Sequence, residues 1–160
     1  MNRKKFITSL SVASVGAAVL NPLSIAKTSL PDEPSVIKPP RLKAGDKIAI
    51  VAPGSYISEE ELQDSIKNLN QLGFETTYSE KVLLQSGYFA GTDKDRAEDL
   101  MQKFSDKNVK GIICARGGYG CARILPMLDY DVIRSNPKVL VGYRDVTALL
   151  YGIYQKSGLI

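Results

Sequence analysis

The sequence predicts an α/β domain in which a parallel β-sheet carries helices on both of its faces. Continuous apolar runs, such as residues 47–52 and 111–115, are typical of strands that are covered on both sides. Amphipathic helical segments alternate with these runs through short connections, which is the pattern of parallel strands joined by crossover helices. The expected architecture is flavodoxin- or Rossmann-like, and such sheets bind ligands beyond the carboxyl ends of their strands.

Each predicted element has a local signal in the sequence. Ser58 with Glu61, and Thr92 with Asp95, form two capping boxes that begin helices. The first helix then carries apolar residues at helical spacing and ends at a glycine (Leu62, Ile66, Leu69, Leu72 and Gly73). The strands are predicted at residues 47–52, 74–78, 111–115 and 138–142, and the last helix at residues 147–156.

The first 41 residues are predicted to lie outside the domain. Basic residues 3–5 precede a modestly apolar stretch, and Ser24-Ile25-Ala26 supplies the small residues that a signal peptidase accepts. Residues 1–26 are therefore predicted as a signal peptide, the proline-rich residues 27–41 as a linker, and residues 42–160 as the domain. The apolar stretch is too short to span a membrane, so we expect an exported, periplasmic protein that is not integral to the membrane. An uncleaved leader would leave it cytoplasmic.

Composition restricts the chemistry that the chain can perform. The 160 residues include 21 basic and 17 acidic side chains, a net charge of +4, which is typical of a mixed-sign surface and not of a nucleic-acid-binding face. The sequence contains no histidine, so the commonest zinc ligand and the commonest general base are both missing. Cys114 and Cys121 are expected to be small buried hydrophobic residues. We therefore expect no metal and no cofactor.

The glycine-rich segment Arg116-Gly117-Gly118-Tyr119-Gly120 follows a predicted strand directly. Without Cβ atoms, its backbone can turn tightly and direct N–H groups at an anionic or polarised oxygen. This arrangement suits a phosphate cradle and an oxyanion hole equally well. The spacing matches neither the dinucleotide fingerprint nor the Walker loop, and a purely structural turn is the alternative.

The segment Gly142-Tyr143-Arg144-Asp145-Val146 has the strand–turn–helix context of a nucleophile elbow, although a valine replaces the last glycine of the general motif. Arg144 would lie at its tip. A guanidinium stays protonated and offers only hydrogen-bond donors, so it cannot attack a carbonyl carbon. The main-chain amide of Asp145 is placed to help bind an oxyanion, and its carboxylate could instead cap the free amides of the following helix.

Together these segments resemble the N-terminal half of the LD-carboxypeptidases, or muramoyltetrapeptide carboxypeptidases, which form peptidase family S66. The resemblance rests on Leu42-Lys43-Ala44-Gly45-Asp46, Ala52-Pro53-Gly54-Ser55, residues 115–120, Pro137-Lys138, and Gly142-Tyr143 followed by residues 145–149. It implies the N-terminal domain of a two-domain, metal-free serine peptidase that removes the terminal D-alanine from murein tetrapeptides. It also implies that Gly117 and Gly118, with the Asp145 amide, form the oxyanion hole, and that Arg144 replaces the nucleophilic serine.

The resemblance implies that the remaining triad members, a glutamate and a histidine, belong to a C-terminal domain that we expect this chain to lack. We therefore expect the chain alone to be inactive. The alternative is a non-catalytic module that binds murein peptides, in which Arg144 pairs with a substrate carboxylate. A nucleotide-binding module would rest on the glycine-rich turn alone. Apolar surface left by a missing second domain would favour a homodimer or association with a separate C-terminal half.

Overall fold

The computed structural model describes residues 35–160, so the predicted signal peptide and residues 27–34 of the predicted linker lie outside the described residues. One parallel sheet of four strands forms the centre of the domain, in the order β2-β1-β3-β4. The strands are β1 (Lys47–Val51), β2 (Glu75–Thr77), β3 (Val109–Cys114) and β4 (Val139–Val141). This order is the start of the flavodoxin-type arrangement, so the predicted fold class is confirmed.

Five α-helices accompany the sheet in the described part of the chain. They are α1 (Glu59–Gln71), α2 (Asp93–Ser105), α3 (Cys121–Ile124), α4 (Tyr130–Ser135) and α5 (Val146–Ser157), with 3₁₀ turns at Glu80–Leu83 and Leu125–Met127. Both predicted capping boxes are present, at Ser58 for α1 and at Thr92 for α2. Helix α4 was not predicted from the sequence, and Asp129 caps it by accepting bonds from the amides of Asp131 and Val132.

Two apolar layers cover the two faces of the sheet. On one face, Ala49 and Val51 of β1 belong to a cluster with Leu100 of α2 and Leu149 of α5. On the other face, Ile48 and Ile50 belong to a cluster with Leu62 and Leu69 of α1. Successive β1 residues therefore enter opposite layers, because strand side chains alternate between faces. Each fully buried aliphatic side chain contributes about 1.5 to 3 kcal/mol, so this double coverage stabilises the sheet strongly.

Part of the predicted linker contacts the far end of the domain. The N–H of Ile37 donates to the carbonyl of Gly158 (2.7 Å), and the N–H of Ile160 donates to the carbonyl of Ile37 (3.1 Å). Arg134 reaches the Ser35 hydroxyl at 2.6 Å. Residues 35–37 are thus held along the end of α5. No helix within residues 35–160 combines the length and the apolar character that crossing a bilayer requires.

The sheet topology fixes where a ligand would bind. From β1 the chain crosses to β2 on one side, and then to β3 and β4 on the other. The connections after β1 and β3 therefore leave the sheet in opposite directions, and a crevice opens between them at the carboxyl ends of the strands. The loops at residues 53–56 and 116–120 border this crevice, and the loop at residues 142–145 follows the adjacent strand β4.

Candidate functional site

The loop between β4 and α5 is a tight, left-handed turn. Arg144 has a φ of 55°, and within residues 35–160 it is the only residue other than glycine with positive φ. The turn is closed by bonds from the N–H of Val146 to the carbonyl of Tyr143 (3.2 Å) and from the N–H of Thr147 to the carbonyl of Arg144 (2.9 Å). A left-handed residue with a Cβ costs roughly 1 to 2 kcal/mol, so the surrounding packing must hold this conformation.

The glycine-rich loop after β3 lies directly against this turn. A Cβ atom on Gly117 would be 2.8 Å from the carbonyl oxygen of Tyr143 and 2.9 Å from the Cβ of Arg144. A Cβ atom on Gly54, in the loop after β1, would be 2.9 Å from the carbonyl oxygen of Gly117. Real Cβ atoms do not approach other atoms so closely, so glycine is required at both points. The three loops therefore meet through main-chain contacts.

Ser55 links the loop after β1 to the glycine-rich loop. Its N–H donates to the carbonyl of Gly117 (3.4 Å), and its hydroxyl accepts a bond from the N–H of Tyr119 (3.3 Å). Gly118 has a φ of 100°, and a Cβ atom there would overlap the Ser55 side chain. Ser55 belongs to a segment that carries the family resemblance, but no role was predicted for it. Its role in the structure is to position the glycine-rich loop.

An open depression of about 450 Å³ forms where these loops meet, and Gly118, Tyr119, Arg144, Asp145 and Ala148 line it. Three of the four residues predicted for the site, Gly118, Arg144 and Asp145, therefore border one depression. Gly117 lies beneath it, in contact with Arg144. Within the described chain, the N–H groups of Gly117, Gly118 and Asp145 donate no hydrogen bond. Of these residues, Gly118 and Asp145 line the depression, so two unbonded main-chain donors belong to residues that border it.

The side chain of Asp145 does not cap its own helix, so the alternative role of capping α5 is not observed. Its carboxylate instead accepts a bond from the N–H of Cys121, the first residue of α3, at 2.8 Å. Gly120 precedes α3 in a left-handed conformation and has no side chain that could cap it. The α3 amide therefore takes its acceptor from the elbow, which fixes the elbow to the end of the glycine-rich loop.

Cys114 and Cys121 are both buried, and neither forms a disulfide. Burial raises the pKa of Cys121 to about 12, and the neighbouring Asp145 carboxylate adds to the shift. Burial also raises the pKa of Cys114 strongly. Both thiols therefore stay protonated at neutral pH and are poor nucleophiles. Among residues 35–160 no three histidine, cysteine, aspartate or glutamate side chains are grouped closely enough to hold a metal.

Arg96 is a positioning residue that was not predicted from the sequence. It is 2% exposed, and its guanidinium donates to the carbonyls of Pro53 (2.6 Å) and Gly120 (3.0 Å), one from each of the loops that border the crevice. It also forms an ion pair with Asp93, and it lies 5.0 Å from the centre of the Phe89 ring. The available signal was its place on the buried face of α2, four residues before Leu100.

Two further arginines lie in the loops of the site, and only one of them lacks an ion-pair partner within the described residues. Arg116 pairs with Glu61 at 3.3 Å. Arg144 is exposed, its guanidinium carbon lies 5.9 Å from the centre of the Tyr143 ring, and it forms no ion pair within the described residues. The depression therefore presents a guanidinium without a counter-charge beside unbonded main-chain N–H groups, an arrangement that favours an anionic ligand.

Comparison with known families identifies this scaffold. The model of the LD-carboxypeptidase N-terminal domain, peptidase family S66, matches residues 48–160. The chain belongs to this family. A probable murein peptide carboxypeptidase of Bacillus subtilis (strain 168) is 37% identical over 123 residues, which are 77% of this chain and 39% of the relative. A murein tetrapeptide carboxypeptidase of Pseudomonas aeruginosa is 32% identical over 114 residues, 71% of this chain and 37% of the relative.

A solved structure extends the comparison to three dimensions. The crystal structure of an MccF-like protein from Bacillus anthracis superimposes with a TM-score of 0.74 at 38% identity, over 78% of this chain and 39% of that protein. The LD-carboxypeptidase domain described here thus spans about two fifths of the length of the relatives that it matches. The matched region includes β1 to α5, and therefore all three loops of the site.

Proposed function

We propose that this LD-carboxypeptidase domain supplies the oxyanion-binding and peptide-binding half of a site for murein peptides, and that the chain itself does not hydrolyse them. The observation that carries the proposal is the left-handed elbow at Arg144, pressed against Gly117 at the edge of a depression. In the family resemblance, this tip is the position of the nucleophilic serine. Two relatives that are named as murein carboxypeptidases support murein peptide as the ligand class.

The main-chain groups around the depression support the oxyanion-binding part of the proposal. A tetrahedral intermediate of peptide cleavage carries its negative charge on one oxygen, and fixed N–H donors stabilise it. Gly117, Gly118 and the Asp145 amide supply such donors beside the elbow, and none of them is used within the described chain. Ser55 and Arg96 hold the loops that carry the donors. The cradle therefore does not depend on the identity of residue 144.

Arg144 supports the absence of hydrolysis. Its guanidinium has no lone pair for attack on a carbonyl carbon, and it stays protonated at any physiological pH. A serine at this position would also need a general base, and the chain contains no histidine. Cys121 next to the elbow offers no substitute nucleophile, because its thiol is fully buried and its high pKa keeps it protonated. We therefore propose that the site binds murein peptides without cleaving them.

A second candidate function is a non-catalytic module that binds murein peptides, and the exposed, unpaired guanidinium of Arg144 favours it. Its guanidinium is exposed, lacks an ion-pair partner among residues 35–160 and lines the depression. The terminal carboxylate of a murein peptide could pair with it through two parallel hydrogen bonds. At an exposed site such a pair contributes about 1 to 2 kcal/mol, which corresponds to a 5- to 30-fold change in affinity.

Hydrolysis and binding are tested on the same purified chain. Murein tetrapeptide is incubated with the wild-type chain and with Arg144→Ser, and released D-alanine is measured by mass spectrometry. We expect no release from either protein, because a serine without a general base remains inactive. Turnover by the wild-type chain would refute the proposed lack of activity, and turnover by Arg144→Ser alone would show that another residue acts as the base.

Calorimetric titration then separates peptide binding from non-specific attraction. The ligands are the tetrapeptide and its C-terminal amide, and the protein variants are Arg144→Gln and Arg41→Gln. Arg41 is also exposed but precedes β1, at the other end of the sheet. We expect saturable binding that both amidation and Arg144→Gln weaken 5- to 30-fold, by the carboxylate–guanidinium pair estimated at about 1 to 2 kcal/mol. Equal losses with Arg41→Gln would contradict a specific role for Arg144.

A further inference from the structure

A second cavity lies at the opposite end of the sheet from the candidate site. It has a volume of about 450 Å³ and is bordered by the segment before β1, the start of β3 and the turn before β4. These are the amino ends of parallel strands, whereas the candidate site lies at their carboxyl ends. Two segments that carry the family resemblance, residues 42–46 and 137–138, contribute to its lining, and the proposed function uses neither of them.

Basic side chains dominate the lining of this cavity. Five cationic residues and one carboxylate border it, and we call them the basic pocket: Arg41, Lys43, Lys107, Lys110, Lys138 and Asp46. None of the five cations forms an ion pair within the described residues. The carboxylate of Asp46 accepts a hydrogen bond from the main-chain N–H of Lys43 at 2.7 Å and forms no ion pair with the cations of the pocket. The pocket therefore concentrates positive charge that the described protein does not neutralise.

Lys138 is the buried member of the basic pocket. It is 5% exposed, and its ammonium donates to the carbonyls of Asp106 and Val109, at 2.7 Å in both bonds. An ammonium has three N–H donors, so one remains after these two bonds. Burial lowers the pKa of Lys138, and the charge of Lys110 lowers it further. The Asp106 carboxylate opposes both effects without cancelling them, since the net shift of the pKa is downward. Lys138 forms no ion pair within the described residues, so an anion in the adjoining cavity would stabilise its buried charge.

We propose that the basic pocket binds a phosphate-bearing anion. Lysines supply four of the five cations, and their compact ammonium groups suit the several oxygens of a phosphate as point charges. A group with two or more negative charges matches five cations better than a single carboxylate does. The exposed lysines Lys43, Lys107 and Lys110 can direct ammonium N–H groups at a ligand in the cavity. Lys138 keeps one N–H donor for it. The ligand is either a free phosphate compound or the headgroup of an anionic phospholipid.

Inorganic pyrophosphate is the probe for the free ligand, titrated calorimetrically into the full chain at low ionic strength. Lys107→Gln/Lys110→Gln removes two exposed pocket cations. Lys67→Gln/Lys156→Gln removes two exposed lysines that lie outside the pocket and form no ion pair in the described residues, so the net charge is matched. We expect one saturable site whose affinity falls about 10- to 30-fold in the pocket variant and less than about 3-fold in the control.

Vesicle sedimentation identifies the source of the phosphate group. Phosphatidylglycerol vesicles and phosphatidylcholine vesicles are compared, with and without pyrophosphate. Pyrophosphate binding without vesicle binding supports a free phosphate ligand. Binding to phosphatidylglycerol vesicles that pyrophosphate displaces supports a lipid headgroup. Equal weakening by the pocket and control variants, or no saturable binding in either arm, would overturn the proposal. Thermal melting of both variants verifies that they remain folded, and murein peptide titration reports on the other site independently.

Discussion

Replacing Arg144 by glycine should stabilise the domain, because the wild-type residue holds a left-handed backbone conformation that glycine adopts without strain. The φ of 55° costs a residue with a Cβ roughly 1 to 2 kcal/mol. Against this gain, the exposed contact of the guanidinium with the Tyr143 ring, 5.9 Å from its centre, contributes up to about 0.5 kcal/mol. We therefore expect Arg144→Gly to raise the free energy of unfolding by about 1 kcal/mol.

Arg144→Ala is the matched control, because it removes the guanidinium and keeps the Cβ. Urea unfolding, followed by circular dichroism, gives the free energy of unfolding of each protein, and thermal melting checks the order. We expect alanine to be neutral or slightly destabilising. The Arg144→Gly protein should melt about 3 to 5 °C higher than the wild-type protein for each kcal/mol of added stability, as expected for a domain of this size. If Arg144→Gly and Arg144→Ala had the same free energy of unfolding, residue 144 would not be left-handed in solution. The elbow geometry on which the candidate site depends would then be refuted.

Three other perturbations test separate parts of the structure. Gly118→Ala should lower the free energy of unfolding by about 2 to 3 kcal/mol in urea titration, because its Cβ would overlap Ser55 at a φ of 100°. Cys114 and Cys121 should resist a thiol reagent at about pH 8 in the folded chain and react in denaturant, since burial raises both pKa values. The pKa of Asp93 is lowered, mainly by a hydrogen bond from an arginine of α3. The stabilisation from ionised Asp93 is fully present above the ordinary pKa of 3.8 and is lost as the pH falls through the lower pKa of the folded state. Asp93→Asn should therefore lower the free energy of unfolding at neutral pH, and progressively less in acid.

Local sequence signals were enough to predict most of the fold. The capping boxes at Ser58 and Thr92 involve residues only three positions apart, so the sequence specifies them directly. The buried strands were recognisable because both of their faces are apolar. The six-residue helix α4 escaped notice because it is too short to show a helical period. Leu72 was expected on the apolar face of α1 but is 70% exposed, because it follows the last helical turn as the C-cap residue.

The contacts that build the site were less predictable, because they join distant parts of the chain. The sequence identified Gly117, Gly118, Arg144 and Asp145 as one group, and the structure brings them together. The bond from the Cys121 amide to Asp145 spans 24 residues, and the bond from Arg96 to Pro53 spans 43. Hydrogen-bond partners so far apart in sequence are determined by the order of the strands in the sheet, which the spacing of apolar residues does not specify. A charged residue on the buried face of an amphipathic helix was the one available sign of Arg96.

The geometry of this site and its chemistry depend on different atoms. The three loops meet through the main chain of Gly117 and Tyr143, and through glycines that admit no Cβ, so the shape of the site is independent of the side chain at position 144. The free-energy cost of the left-handed conformation is the same for arginine and serine at this position, because it comes from the Cβ atom. A change of side chain at the tip can therefore leave intact the fold that the family model recognises. The family model shows that this chain has the LD-carboxypeptidase N-terminal scaffold, whereas the proposed lack of hydrolysis depends on Arg144 at the tip and on the supply of a general base.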